Sequence, residues 1–143
     1  MENITRTHKE KYLLIKDLCC RLPYKVKIQY ENDIFTIDYI AARYEEIKPD
    51  ASNNYTIGFL EVKPYLFPLS SMTKEQLFEV QDILEKNEIE IEDGFLRIID
   101  AERNTITYLE ILAVLEWFYK NHFDVNNLIS MGLAIDATNL NIY

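Results

Sequence analysis

Glycine is the scarcest structural signal in this chain. Only Gly58, Gly94 and Gly132 occur in 143 residues, which argues against the glycine-rich loops that cradle phosphates. Cysteine is nearly absent as well. Cys19 and Cys20 are adjacent and are the only two, so they build neither a disulfide framework nor a zinc pattern. They are expected at a helix end, with at least one thiol buried. Histidine occurs twice, at His8 and His122, which restricts acid–base chemistry. Basic residues are outnumbered, 15 against 24 acidic, for a net charge of -9; nonspecific nucleic-acid binding is disfavoured, and room is left for a basic partner. No apolar run approaches the roughly 18 residues that span a bilayer, and MENITRTHKEK lacks a hydrophobic signal core. The expectation is a cytoplasmic protein with no membrane contact.

What is present is apolar and aromatic. The 48% hydrophobic and 13% aromatic content argues for a packed domain burying roughly two thirds of its unfolded surface. From His8 to Arg21, Tyr12, Ile15, Leu18, Cys19 and Leu22 follow a helical rhythm, with Lys9, Glu10, Lys16 and Asp17 turned outward. Pro23 ends that helix. Tyr24 to Glu31 alternates as a half-buried strand. Asn32-Asp33 suits a hairpin turn, and Ile34 to Ala41 returns as a central antiparallel strand. Glu45 to Asn54 reads as a loop and Tyr55 to Val62 as a third strand, weakened at Gly58.

The segment EVKPYLFPLSSMTKEQ carries the most local information. Pro64 and Pro68 make Lys63-Pro64 and Phe67-Pro68 extended or turning. Thr73 and Gln76 form a capping-box pattern that opens a second helix, Thr73 to Lys86, with Leu77, Val80, Ile83 and Leu84 inward. Glu88, Glu90 and Glu92 alternate with Ile89 and Ile91 up to the turn signal Asp93-Gly94, and Phe95 to Asp100 returns as the partner strand. Thr107 to Lys120 is apolar on nearly every side and predicts the most buried helix. Asp124 suits the cap of a short helix from Val125 to Met131, stopped by a left-handed Gly132 against which Leu133 packs back. The tail AIDATNLNIY is expected along the surface. Together these elements predict one α+β domain spanning 1–143: an N-terminal helix, a three-stranded antiparallel meander, a helix, a second hairpin and C-terminal helices.

Three segments, KDLCCRLPYKVKIQ, VKPYLFPLSSMTKEQ and LEWFYKNHFDVNNLISMGLAIDAT, resemble a family of small uncharacterised proteins encoded by phages, prophages and mobile elements of Bacteroidota gut bacteria. The chain departs from that pattern at Phe67, where a basic residue is frequent, and at Val125, where a second aromatic is. The resemblance implies a phage-related setting and a bacterial cytoplasm, and it brings no catalytic residues. The helix-and-hairpin order also resembles small SH3-like or Sm-like barrels, which implies no function by itself.

Among side-chain constellations, His122 and Asp124 are spaced so that a turn would let the carboxylate orient the imidazole, as in an active-site pair. The competing reading makes Asp124 a cap and His122 a partner of the preceding helix's negative end. The ladder Glu88, Glu90, Glu92 with Asp93 is either a soluble strand face or a docking stripe for a basic protein. Its carboxylates stand about 7 Å apart along one strand face, where repulsion in water is only about 0.6 kcal/mol per pair. Lys25, Lys27 and Arg43 with Tyr24 and Tyr30 suggest a small nucleic-acid patch or the wet face of a hairpin. Any exposed part of Tyr65, Phe67 and Trp117 would mark a protein contact. No cofactor or metal pattern is present, and no nucleophile elbow surrounds Ser70, Ser71 or Cys20. The first expectation is therefore a noncatalytic accessory protein that binds a host or phage protein through an acidic or aromatic surface. An enzyme around His122 and Asp124 is the alternative, followed by a nucleic-acid adaptor.

Overall fold

Thr7 opens the first helix with a reciprocal cap: its hydroxyl accepts from the Glu10 amide, and the Glu10 carboxylate accepts from the Thr7 amide. In this computed structural model, which describes residues 6–41, 46–48, 57–58, 62–84, 89–92, 95–98 and 108–143, the helix α1 runs His8–Arg21. A single 3₁₀ turn over Leu22–Tyr24, with Pro23 inside it, ends in left-handed Lys25. The buried stripe of α1 is Leu14, Asp17, Leu18 and Arg21, rotated from the expected one. Asp17 faces inward, Tyr12 is exposed, and Cys19 and Cys20 are both exposed. An i,i+4 acid–base pair looks like a solvated face in sequence, but here it is the ion pair that lies inside.

Strands β1 (Lys27–Tyr30) and β2 (Asp33–Thr36) form the expected hairpin with a turn one residue earlier, at Glu31-Asn32, since Tyr30 pairs with Asp33. Glu31 takes the positive φ. β2 is shorter than expected and lies at the sheet edge, with Ile34 exposed. The chain then leaves for β3 (Tyr39–Ala41), which pairs with β4 (Glu46–Lys48) inside the stretch expected to be a loop. Pairing with the nearby β3 on one side and with Ile57–Gly58 on the other, and no alternation of its own, makes β4 a strand. Within Tyr55–Val62 the described parts separate: β5 (Ile57–Gly58) pairs with β4, whereas Val62 opens β6 (Val62–Leu66).

β6 lies beside β1, not beside β2, so the main sheet, completed by β9 (Ile135–Asp136), has the order β2-β1-β6-β9 and is no simple meander. Pro64 sits within β6 opposite Ile28. The last strand, β9, begins opposite Tyr65, one residue past the proline that lacks a donor. β9 pairs in parallel, so the tail expected on the surface completes the sheet and buries Ala134 and Ala137. One core cluster lies under this sheet, with Leu14, Leu18, Val26, Ile28, Ile37, Val62, Leu66 and Leu128.

The second cluster forms around α2 (Lys74–Leu84) and α3 (Tyr108–Lys120), with Leu69, Val80, Leu84, Val114, Phe118 and Phe123. The Thr73–Gln76 box closes in both directions, at 2.9 and 3.2 Å. β7 (Ile89–Glu92) and β8 (Phe95–Ile98) form the second hairpin, and Ile91 packs against this cluster. α3 is not the most buried helix: only Val114 and Phe118 are buried. The fold is α+β, with the N-terminal helix, hairpins and C-terminal helix expected from the sequence.

Candidate functional site

The last turn of α3 builds the site. Left-handed His122, with φ 63°, occupies the position where helices commonly place glycine. Its amide donates to the Tyr119 carbonyl, and the Phe123 amide donates to the Phe118 carbonyl at 2.9 Å. This is the Schellman arrangement, completed by the edge-on contact of the Phe118 and Phe123 rings. The turn is then spliced onto the end of β6: the Phe67 amide donates to the His122 carbonyl and the Asp124 amide to the Phe67 carbonyl, both at 2.8 Å.

Asp124 is buried and uses both carboxylate oxygens on backbone, accepting from Leu128 and Ile129 at 2.9 Å each. It caps as expected, but the residues it caps form a turn and not a helix. Asn127 is left-handed there, which interrupts helical geometry. Gly132 is left-handed, and the Leu133 amide reaches back to Leu128, so the expected stop is present on a single turn.

His122 therefore receives no orientation from Asp124. Its imidazole lies flat on the Tyr143 ring, centroids 3.6 Å apart and 9° from parallel, and its buried Nδ1 has no hydrogen-bond partner. Burial, then the charges of Arg21 and Lys27, lower its pKa to about 4, so it is neutral at pH 7. Tyr143 turns its hydroxyl inward, donating to the Tyr65 carbonyl at 2.8 Å and accepting from the Lys27 amide at 3.0 Å. Burial pushes that phenol up to about 12, against the lowering effect of the Lys27 bond and of Arg21.

A cavity of about 500 Å³ opens beside this stack. Three segments wall it: Phe67, Ser71, Thr73 and Gln76 ahead of and within α2, Lys120 to Phe123 at the end of α3, and Thr138, Asn139 and Tyr143 in the tail. Sequence reasoning found His122 but missed Lys120, Gln76 and the tail residues. Only the parallel β9 pairing, between segments about seventy residues apart, brings the tail there. Behind the cavity, Arg21 and Asp17 form a fully buried two-bond ion pair at 2.6 and 3.0 Å. Asn126 donates to Asp17, and the Arg21 guanidinium lies over the Tyr119 ring.

The other expected site residues are dispersed. Tyr65 is 5% exposed and has little surface to offer a partner. Phe67 is half-buried between Phe123 and Tyr143. Glu92 is exposed on β7, and Glu90 stands in register with Arg97; Glu88 and Asp93 lie outside the described residues. Lys27 is half-buried with its ammonium on the Ile142 carbonyl, Tyr24 donates to Glu116, and Arg43 lies outside the described residues. The hairpin lysines thus do not gather into a described basic patch.

Among the described residues, a group of highly exposed apolar side chains was not foreseen. Tyr108 (87% exposed), Leu109 (78%) and Leu112 (61%) stand out from the start of α3, and Phe78 (60%) from α2. Exposed Glu75, Glu79, Asp82 and Glu116 lie on the same two helices. The helices are tied together by the Trp117 indole, which donates to Glu79 at 2.8 Å. Among the described residues, no cluster of three or more histidine, cysteine or carboxylate side chains is placed to hold a metal, and no helix is long and apolar enough to cross a membrane. No family model, curated protein or solved structure matches this chain.

Proposed function

We propose that the chain is a noncatalytic accessory protein of phages or mobile elements that binds a basic, apolar-faced segment of a partner protein on the α2–α3 surface. The carrying observation is the exposed start of α3. Leaving Tyr108, Leu109 and Leu112 in water wastes about 25 cal/mol per Å² of apolar area, and clustered aromatic and aliphatic anchors are what protein interfaces bury at their centres. The carboxylates of Glu75, Glu79, Asp82 and Glu116, in a chain of net charge -9, give that partner its sign, steering it on approach.

The enzyme alternative draws less support. Asp124 is committed to backbone amides, and an imidazole with a pKa near 4 is a weak base at pH 7. A nucleic-acid adaptor would need a contiguous basic stripe, and the Lys27 ammonium is already engaged.

The test compares wild type with Leu109→Asp/Leu112→Asp and with Glu75→Gln/Glu79→Gln/Asp82→Gln, first by capture from phage-infected host lysate and then by affinity for the purified captured protein. Both variants should unfold within about 0.5 kcal/mol per substitution of wild type, as exposed positions do. The expected partner is basic, binds the apolar variant about a hundredfold more weakly, and loses its preference for wild type over the charge variant at high salt. A partner that binds all three proteins equally overturns the assignment to this surface.

A further inference from the structure

The cavity beside His122 is chemically unlike the rest of the molecule. Although 24 of 143 residues are acidic, none of its lining residues is; the one ionised side chain in it at pH 7 is Lys120, exposed in the last turn of α3. No carboxylate among the described residues is paired with that lysine.

On the wall made by the start of α2 the free hydrogen-bonding groups are donors, whereas Ser71, Asn121 and Thr138 already donate to the Pro68 carbonyl, the Trp117 carbonyl and Asp136. Gln76 Oε1 must be the acceptor for the Thr73 amide, so the end of Gln76 left over is its NH₂, a donor. Thr73 Oγ1 accepts from the Gln76 amide, and its hydroxyl proton remains to donate. The capping box thus consumes the acceptors and leaves donors. The amides at the start of α2 do not make this site, since those of Thr73 and Gln76 are taken by the box. Opposite these donors stand two partly exposed rings, Phe67 and Tyr143, with centroids 5.9 Å apart.

We propose that this cavity binds a small organic anion bearing a planar ring, with the carboxylate or phosphate held by Lys120, Gln76 and Thr73 and the ring against Phe67 and Tyr143. A volume of about 500 Å³ suits such a molecule, within the usual range of roughly 300–1,000 Å³ for small-ligand sites. Lys120 and Thr73 supply the charge-assisted bonds that anions favour. Neutral His122 is the backing of the ring wall and adds no charge. The site stands at the opposite end of α3 from Tyr108 and Leu109, so it is independent of the partner surface.

The test is titration at physiological salt, followed by amide NMR shifts and calorimetry, with four probes: adenosine monophosphate, benzoate, adenosine and inorganic phosphate. Two variants retain the fold by construction. Lys120→Glu alters an exposed position, and Gln76→Glu keeps the capping box while turning a donor into a carboxylate. The expected result is saturable binding of at least one of the two ring-bearing anions, with shifts at residues 71–76, 120–123 and 138–139. Each variant should weaken that binding about tenfold or more, the loss of one charge-assisted bond, and adenosine and phosphate should each bind at least about tenfold more weakly than the preferred ring-bearing anion. Absence of saturable binding by both ring-bearing anions overturns the proposal, as does binding that neither variant changes. Adenosine binding as well as its monophosphate removes the anion requirement, and phosphate binding as well as either ring-bearing anion removes the ring; either result overturns the ligand class.

Discussion

Arg21 and Phe123, 102 positions apart, are joined by a 2.6 Å hydrogen bond from the guanidinium Nη2 to the phenylalanine carbonyl. The same Nη2 also holds Asp17, so one buried ion pair fixes α1 to the turn that carries His122.

Breaking that pair from one side should be severe. Arg21→Met leaves Asp17 buried, charged and held only by Asn126, and is expected to cost about 3–5 kcal/mol in urea unfolding followed by Trp117 fluorescence. Asp17→Leu/Arg21→Met removes both charges and should cost less than the single arginine replacement. Equal or greater loss in the double variant would show that the charges themselves are needed.

His122 gives a pH dependence whose sign is fixed by its lowered pKa. The folded protein binds the proton near pH 4 and the unfolded chain near 6.5. Between those values the unfolded state holds more protons, so stability is full above about pH 6.5 and falls as pH drops toward 4. His122→Asn, which tolerates the left-handed backbone, should flatten the urea midpoint against pH in this window. Matching slopes in the two proteins would exclude His122 as the source.

Gly132→Ala tests backbone conformation alone. A Cβ there meets nothing within 4 Å, but φ is +72°, so the loss should be the left-handed strain of about 1–2 kcal/mol. A loss below about 0.3 kcal/mol would mean that this turn relaxes at little cost.

Cys19 and Cys20 are both exposed and unpaired, so both should react with a thiol reagent in the folded protein without denaturant. Burial, with Cys20 nearby, raises the Cys19 pKa, and Cys19 should therefore react more slowly near neutral pH than an unhindered thiol. A single reactive thiol before unfolding would contradict this placement.

The features legible in sequence are those decided within a few residues. The Thr73–Gln76 box, the extended prolines, the strand pattern before Asp93-Gly94 and the left-handed Gly132 all rest on local chemistry. What stayed hidden depends on distant partners. Asp17 reads as solvated because only Phe123 and Asn126 reveal its burial, and Glu46–Lys48 becomes a strand only by pairing with both Tyr39–Ala41 and the later Ile57–Gly58. The apolarity of α3 announces burial by composition, yet the surroundings cover just one stripe of it. His122 was legible as a candidate, whereas its cavity depends on a tail placed by parallel pairing.

The two backbone bonds of Phe67, to His122 and from Asp124, join the chain leaving β6 to the turn that follows α3. Separating β6 from that turn breaks both, and Phe123, a member of the helical cluster, accepts through its carbonyl from Arg21 of α1. The sheet and the helical layer are therefore expected to open as one foldon, with the amides of Phe67 and Asp124 among the most slowly exchanging in hydrogen-exchange measurements.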